Sequence, residues 1–312
     1  MIDRYLLRYF LAVIDCGSFS KAARQTHVSQ PTLSVGIAKL ERLVGAALFE
    51  RSAKRVNLTE AGSRFAVHAR RIENEFNLAQ VAVLGLKPVR ELKLGVLATF
   101  PFAHLGGALR AARDSLPDAR AATERLSLVA GNERELLQRL SRGQIDAALT
   151  IVRPESDRFA NEVLFEEAYA LALPAAHPLA TRPSIAAEEL ADNTMIVRRH
   201  CEVLAETSRH FTERGVRPFF AFRGTNDEQV LALVQAGLGV TVMPACYELA
   251  GVVRPALSGF PYRRRIGLLH AAHAEAARDP PSPLLMAIRA RYAGARFASA
   301  PDGPTAAPGA PA

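Results

Sequence analysis

Residues 17–62, GSFSKAARQTHVSQPTLSVGIAKLERLVGAALFERSAKRVNLTEAG, constrain this chain more than any other stretch. Just before them, residues 4–14 carry apolar side chains at Leu6, Phe10 and Val13, the spacing of one helical face. Gly17 stops that helix, because glycine tolerates the left-handed conformation at a helix end. Ser18 is placed to cap a second helix that buries Phe19, Ala22 and Ala23. His27 and Val28 make the turn, and Ser29 caps a third helix. Gln30 takes its first position, with Pro31 just inside, where proline gives up only an amide that has no intrahelical partner.

On that third helix Leu33, Ile37, Leu40 and Val44 fall on one face and are expected inside. Gln30, Thr32, Ser34, Val35 and Lys39 are left on or near the outer face. Small polar side chains at the start of an exposed second helix can approach base edges in a major groove of double-stranded DNA. Residues 47–50 and 55–58 read as two strands of a short hairpin. Arg51, Lys54 and Arg55 at its tip can neutralise phosphates, giving affinity without sequence information. The formal net charge of +8 suits a polyanionic partner.

The stretches GSFSKAA, VSQPTLS, the Leu40-Glu41 pair, LFER and LTEAG together resemble the winged helix-turn-helix of LysR-type transcriptional regulators. The resemblance implies that Gln30, Pro31 and Ser34 lie closest to the bases, flanked by Ser29, Thr32 and Lys39, and that the hairpin sits on the backbone or minor groove. Gly36 is a departure, since family members often carry a long polar residue near Val35 and Gly36. Glycine inside a helix costs about 1 kcal/mol relative to alanine. Either the backbone approaches DNA or a neighbouring helix closely there, or the position is a tolerant surface site.

From Thr59 a single helix is expected to run toward Leu86. Phe65, Ala69, Ile72, Phe76, Ala79, Val83 and Leu86 alternate in spacings of four and three, a narrow coiled-coil seam. Phe65, Ile72, Phe76 and Val83 are the expected dimerisation contacts. Self-pairing would present two reading heads to an inverted-repeat operator, and packing on the chain's own remainder is the alternative. Residues 1–62 thus form the expected DNA-binding domain and 59–88 the linker helix, with a hinge at 87–90.

Residues 91–296 alternate strand and helix patterns, which argues a parallel α/β sheet. Strands are expected at 92–97, 121–129, 145–151, 162–164, 169–173, 194–197, 219–223, 240–243 and 263–269. Helices are expected at 101–116, 133–142, 202–214, 227–235 and 283–292. The resemblance implies two Rossmann-like subdomains, arranged as in periplasmic binding proteins. One combines about 91–162 with 267–296, and the other spans about 163–266. A terminal stretch, 299–312, is rich in alanine, proline and glycine and reads as a disordered tail.

Ligands in open α/β sheets bind beyond the carboxyl ends of strands, where helix N-termini offer free amides. That rule selects Thr99, Phe100, Asn132, Thr150, Arg199, His200, Cys201, Thr225 and Asn226 as effector contacts. A hydroxyl at Thr99 can bind a carboxylate oxygen or merely cap its own helix. Arg198 or Arg199 can pair with an anionic effector or stand solvated. Peroxide-sensing members of the family carry a histidine-cysteine pair matching His200-Cys201 and a threonine matching Thr99. A disulfide sensor needs a second thiol, and the expected position reads His210. Cys201 is therefore read as pocket-lining or structural, with thiol-based oxidative sensing as the alternative.

Cys16, Cys201 and Cys246 form no disulfide framework and no zinc pattern. His270 and His273 lack further ligands. No nucleophile elbow, phosphate loop or zinc-protease motif occurs, and Glu166 and Glu167 would sit on opposite strand faces, so no enzyme, cofactor or metal is expected. A solute-binding protein would explain residues 91–296 but would need export and has no use for 1–62. With no signal peptide and no membrane-spanning run, a cytoplasmic location is expected. The expectation is a homodimeric, or tetrameric, regulator that binds DNA and responds to a small molecule. RNA polymerase is a further candidate partner.

Overall fold

Local signals fix the first helices. In the computed structural model, residues 1–50, 56–84, 90–114, 124–154, 158–271, 274 and 282–292 are described. The hairpin tip with Arg51, Lys54 and Arg55, residues 87–89 of the expected hinge, His273 and the tail 299–312 lie outside the described residues. Helix α1 (Arg4–Cys16) ends at Gly17 with φ 60°. Ser18 accepts a hydrogen bond from the Lys21 amide to start α2 (Phe19–Gln25). His27 adopts φ 56° in the turn, a left-handed conformation uncommon outside glycine but one that histidine takes more often than most. Ser29 then accepts from the Thr32 amide at the head of α3 (Gln30–Val44).

Leu6, Phe10, Leu33, Leu40, Leu48 and Phe49 form the core of this unit. The Phe10 ring meets Phe49 at 5.3 Å and Phe65 at 5.2 Å between centroids. Glu41 accepts from the amides of Leu48 (2.7 Å) and Phe49 (3.2 Å), tying α3 to the first side of the hairpin. The expected two-stranded hairpin is, among the described residues, one antiparallel bridge between Phe49 and Leu58.

Thr59 caps α4 (Glu60–Val83), accepting from the Gly62 amide at 2.9 Å and donating to the Ala47 carbonyl at 2.7 Å. A β-carbon at Gly62 would lie 2.0 Å from the Leu48 carbonyl oxygen, so only glycine lets α4 start against the hairpin. The buried residues of α4 are Gly62, Ala66 and Ala69, all near its start. Residues 74–80 are exposed on every face.

The α/β part opens with β1 (Arg90–Leu97), α5 (Phe102–Asp114), β2 (Glu124–Gly131), α6 (Glu133–Ser141) and β3 (Ala147–Ile151). β1 pairs in parallel with β2 and with β3, as two right-handed crossovers would arrange them. The long strand β4 (Ala160–Pro174) follows without the break expected at Phe165-Glu166. Then come β5 (Ser184–Ile185), β6 (Met195–Arg198), α7 (Leu204–Thr212), β7 (Phe220–Gly224), α8 (Asp227–Gln235) and β8 (Thr241–Pro244). The chain closes with β9 (Val252–Val253), β10 (Ala256–Leu257), β11 (Arg263–His270) and α9 (Pro283–Tyr292).

The main sheet runs β2-β1-β3-β11-β4-β8, with β9 also on β4. β11 lies antiparallel between β3 and β4, and its register slips at Ile266/Gly267. A β-carbon at Gly267 would meet the Glu162 carbonyl oxygen at 2.1 Å, which explains glycine at this bulge. β6 and β7 pair in parallel, and a bridge from Met195 to Val240 brings them beside β8. One core gathers under β1, β3 and β11. Two smaller cores lie on either side of the β4–β8 region. Two lobes thus share β4 and β11.

Candidate functional site

The reading surface is the start of α3. Gln30, Pro31, Thr32 and Val35 are exposed and Ser34 is half-buried. Gln30 donates from Nε2 to Ser34 Oγ at 2.9 Å, one turn on, which holds the amide along the outer face. The Ser29 and Thr32 hydroxyls are 2.7 Å apart. Lys39 departs from the expectation of an outward DNA contact. Its ammonium donates to the Tyr5 hydroxyl at 2.9 Å and lies 3.6 Å from Asp3, so it is folded back on α1. Gly36 is buried, and a β-carbon there would stand 2.7 Å from the Tyr9 ring. Close approach to α1, not surface drift, accounts for that glycine.

The seam on α4 divides in two. Phe65, expected at a dimer contact, packs on Phe10 within its own domain, and Ala69 is fully buried there too. Half-buried Phe65 thus also serves the winged unit's own core, on which α4 starts. Ile72, Phe76 and Val83 are 41%, 45% and 88% exposed. Arg4 reaches α4 from α1, bonding Glu73 at 3.1 and 2.8 Å and stacking on Phe76 at 4.9 Å.

In the α/β part the centre of the polar site is Arg264, on β11, which sequence reasoning missed. Its Nε donates to Glu167 Oε1 at 2.9 Å. Nη1 donates to the Thr99 hydroxyl and to Glu202 Oε1, both at 2.9 Å, and Nη2 to the Thr99 carbonyl at 2.9 Å. Thr99 also hydrogen-bonds Glu202 directly, and Tyr169 donates to Glu202 Oε2 at 3.0 Å. Thr99 follows β1 in one lobe, while Glu167 and Glu202 belong to the other, so this network latches the lobes together. Burial pushes Glu202 up, but Arg264, Arg198 and the Thr99 hydroxyl outweigh it and hold the carboxyl below its ordinary range.

Beside it Arg198, also buried, donates from Nε to Asp227 Oδ1 at 2.7 Å, with a second contact to Oδ2, and from Nη1 to the Val242 carbonyl at 3.2 Å. Arg198 is thus an internal ion pair, and Arg199 is the exposed one. Glu166 and Glu167 do face opposite ways: Glu166 pairs with Arg263 at the surface and Glu167 with Arg264 in the interior.

A cleft of about 250 Å³ opens over the latch, lined by Thr99, Asn132, Arg134, Arg153, His200 and Glu202 among others. Thr99, Asn132 and His200 therefore line one cleft. Phe100 does not: it is 1% exposed in the first lobe's core, its ring 5.9 Å from Tyr292, so the residue after Thr99 turns inward. Thr150 is fully buried within β3. Thr225 and Asn226 lie outside the cleft lining, and Asn226 accepts from the Glu228 and Gln229 amides, a cap for α8. Asn132 caps α6 as well, in a reciprocal box with Glu135. Cys201 lines a different cavity, described below, and burial pushes its thiol up despite Arg198 nearby.

A winged helix-turn-helix joined by a long helix to a two-lobed α/β domain with a polar cleft defines a ligand-responsive transcriptional regulator. The chain belongs to the LysR family. Residues 5–63 match the bacterial regulatory helix-turn-helix protein, lysR family, and residues 87–280 match the LysR substrate binding domain. It is 30% identical over 297 residues to the DNA-binding transcriptional dual regulator OxyR of Escherichia coli (strain K12), covering 92% of this chain and 95% of that one. It is 29% identical over 270 residues to the RuBisCO operon transcriptional regulator of Allochromatium vinosum, covering 85% and 88%. In fold it is similar to a full-length OxyR variant from Pseudomonas aeruginosa, with TM-score 0.63, 24% identity, and 93% and 95% of the two chains covered. The protein is a DNA-binding transcriptional regulator with an effector-binding domain, and the relatives named here are regulators. Among the described residues, no helix is long and apolar enough to cross a membrane.

Proposed function

We propose that two copies of this regulator, paired through the exposed part of α4, read an inverted-repeat operator. Residues 1–62 act as the reading head, 59–88 as the pairing helix, and 91–296 as the sensor. The observation that carries this reading is the start of α3, where Gln30 is exposed and braced by Ser34. Gln30→Ala is expected to cost about 1–3 kcal/mol on the cognate operator and to relax preference at one base pair. Fluorescence anisotropy on the cognate site and on single-base variants measures both. Unchanged discrimination removes α3 from the reading role.

The effector enters the cleft between Thr99, Asn132 and His200. A small organic acid there competes with the carboxylate of Glu202 for Thr99 and Arg264, because both bring the same chemistry to the same donors. Releasing Glu202 unties the latch, and the lobes then shift their relative packing. Thr99→Val is expected to leave operator binding intact and to weaken the effector-induced thermal shift by about tenfold in ligand concentration. A panel of small organic acids tested on the full chain reads this. An equal response in wild type and variant eliminates Thr99 as a contact.

The relationship to OxyR raises a thiol-switch reading. Against it, the Cys201 thiol is held protonated by burial, and its expected partner position is His210, buried beside Phe260. Metabolite sensing in the cleft is the better-supported function.

A further inference from the structure

Helix α7 buries its C-terminal end more deeply than its start, although Glu202 just ahead of it is held by Arg264 and Tyr169. His210 and Phe211 are buried, while Leu204, Ala205 and Ser208 near its start are exposed. Beneath its more exposed start, against β6 and β7, lies a cavity of about 860 Å³. Its walls include Met195, Val197, Leu204, Phe211, Val216 and Phe220. Protein interiors are close-packed, and voids beyond the size of a water molecule are few. A space this large, lined by apolar side chains, falls in the range of roughly 300–1,000 Å³ typical of small-molecule sites. It is not the cleft over Arg264: of the residues lining the two, only Glu202 is common to both.

The charged groups at its floor are already spent. Arg198 is committed to Asp227 and the Val242 carbonyl, and Thr241 donates to the Ile196 carbonyl at 2.8 Å. Glu202 is held by Arg264, Thr99 and Tyr169. Arg217 also lines the space but is exposed to solvent, so a charged ligand in the buried part would have no buried counterion, and an ion without a partner is costly in an apolar setting. The Cys201 sulfur, 3.5 Å from Arg198 Nη1, is the soft group that remains at the floor.

We propose that the space under α7 is a second ligand site, for an uncharged aromatic or alicyclic small molecule, separate from the cleft of the proposed effector. The probe is neutral N-phenyl-1-naphthylamine, added to the full-length protein. Saturable, blue-shifted fluorescence with one probe per chain is expected, together with severalfold slower alkylation of Cys201 by iodoacetamide, read by mass spectrometry. Ala205→Trp places an indole over the cavity and is expected to weaken probe binding by about tenfold or more. Unchanged binding in a folded Ala205→Trp protein, or alkylation of Cys201 indifferent to the probe, overturns the site. Should Ala205→Trp fail to fold, Cys201 protection in the wild type decides. Tighter binding of anionic 1-anilinonaphthalene-8-sulfonate than of the neutral probe overturns the uncharged class.

Discussion

Replacing Arg264 with alanine is expected to destabilise the sensor by about 3–5 kcal/mol, the usual cost of leaving a buried partner charge uncompensated. Glu167 is fully buried and, among the described residues, keeps the Cys246 amide, at 2.7 Å, as its strong donor once the guanidinium is gone. Glu202 loses its cation and keeps Thr99 and Tyr169. For a unit of this size the loss corresponds to roughly 6–20 °C in melting temperature. The pH dependence gives the cause away. In the wild type the Glu202 carboxyl is held below its ordinary value of 4.5, so its contribution to stability is present above that pH and is lost as the pH falls. Without Arg264, burial dominates and raises the carboxyl, so the variant is penalised at neutral pH and relieved by protonation. The melting gap between wild type and Arg264→Ala is therefore expected to narrow from about pH 7 toward pH 4.5. Differential scanning fluorimetry across that range measures it. A gap that does not vary with pH means that Arg264 acts by packing and not by charge.

Nothing local in the sequence announces Arg264. Its carboxylate partner Glu167 lies 97 residues away and Thr99 165 residues away, and such pairings depend on which strands become neighbours. One signal was present. Two adjacent carboxylates, Glu166 and Glu167, and the arginine run 263–265 are each followed or preceded by apolar strand residues, and antiparallel pairing sets them opposite one another. Reading residues 165–166 as a break in β4 hid this match, since polar residues inside a strand look like a loop until their partners are known. In the sequence Arg198 reads as a candidate effector contact, and its pairing with Asp227, 29 residues away, is hidden by the same dependence on which elements become neighbours.

Capping was legible at Ser18, Ser29 and Thr59 because it is local, whereas Asn132 and Asn226, expected as effector contacts, are caps as well. Ser18, Ser29, Thr59, Asn132 and Asn226 all accept from amides two or three residues on. The same rule over-reached in the sensor. A residue ahead of a helix can cap that helix and lie outside the cleft, as Asn226 does. A residue beyond a strand can turn into the core, as Phe100 does. Position relative to an element was readable, and side-chain direction was not.

The second large effect is expected on assembly. Phe76→Glu should convert the protein to monomers and reduce operator affinity by about 10²–10⁴-fold, the gain that two linked reading heads hold over one. The argument rests on what α4 leaves uncovered. Its early seam positions, Phe65 and Ala69, are used inside the winged unit, whereas Ile72, Phe76 and Val83 continue the same stripe into solvent. Residues 74–80 are exposed, with Arg4 of α1 reaching Phe76 and Asn77, and a helical end with an apolar stripe in solvent gains by burying it against a copy of itself. The substitution is well placed to separate assembly from folding. Arg4 already lies over the Phe76 ring, so a carboxylate at that position acquires a cation from its own chain, and the α1–α4 contact through Glu73 is kept. Sedimentation velocity then reads the oligomer, circular dichroism the fold, and gel mobility the operator complex. A folded Phe76→Glu protein that still sediments as wild type would place the pairing surface elsewhere than on α4.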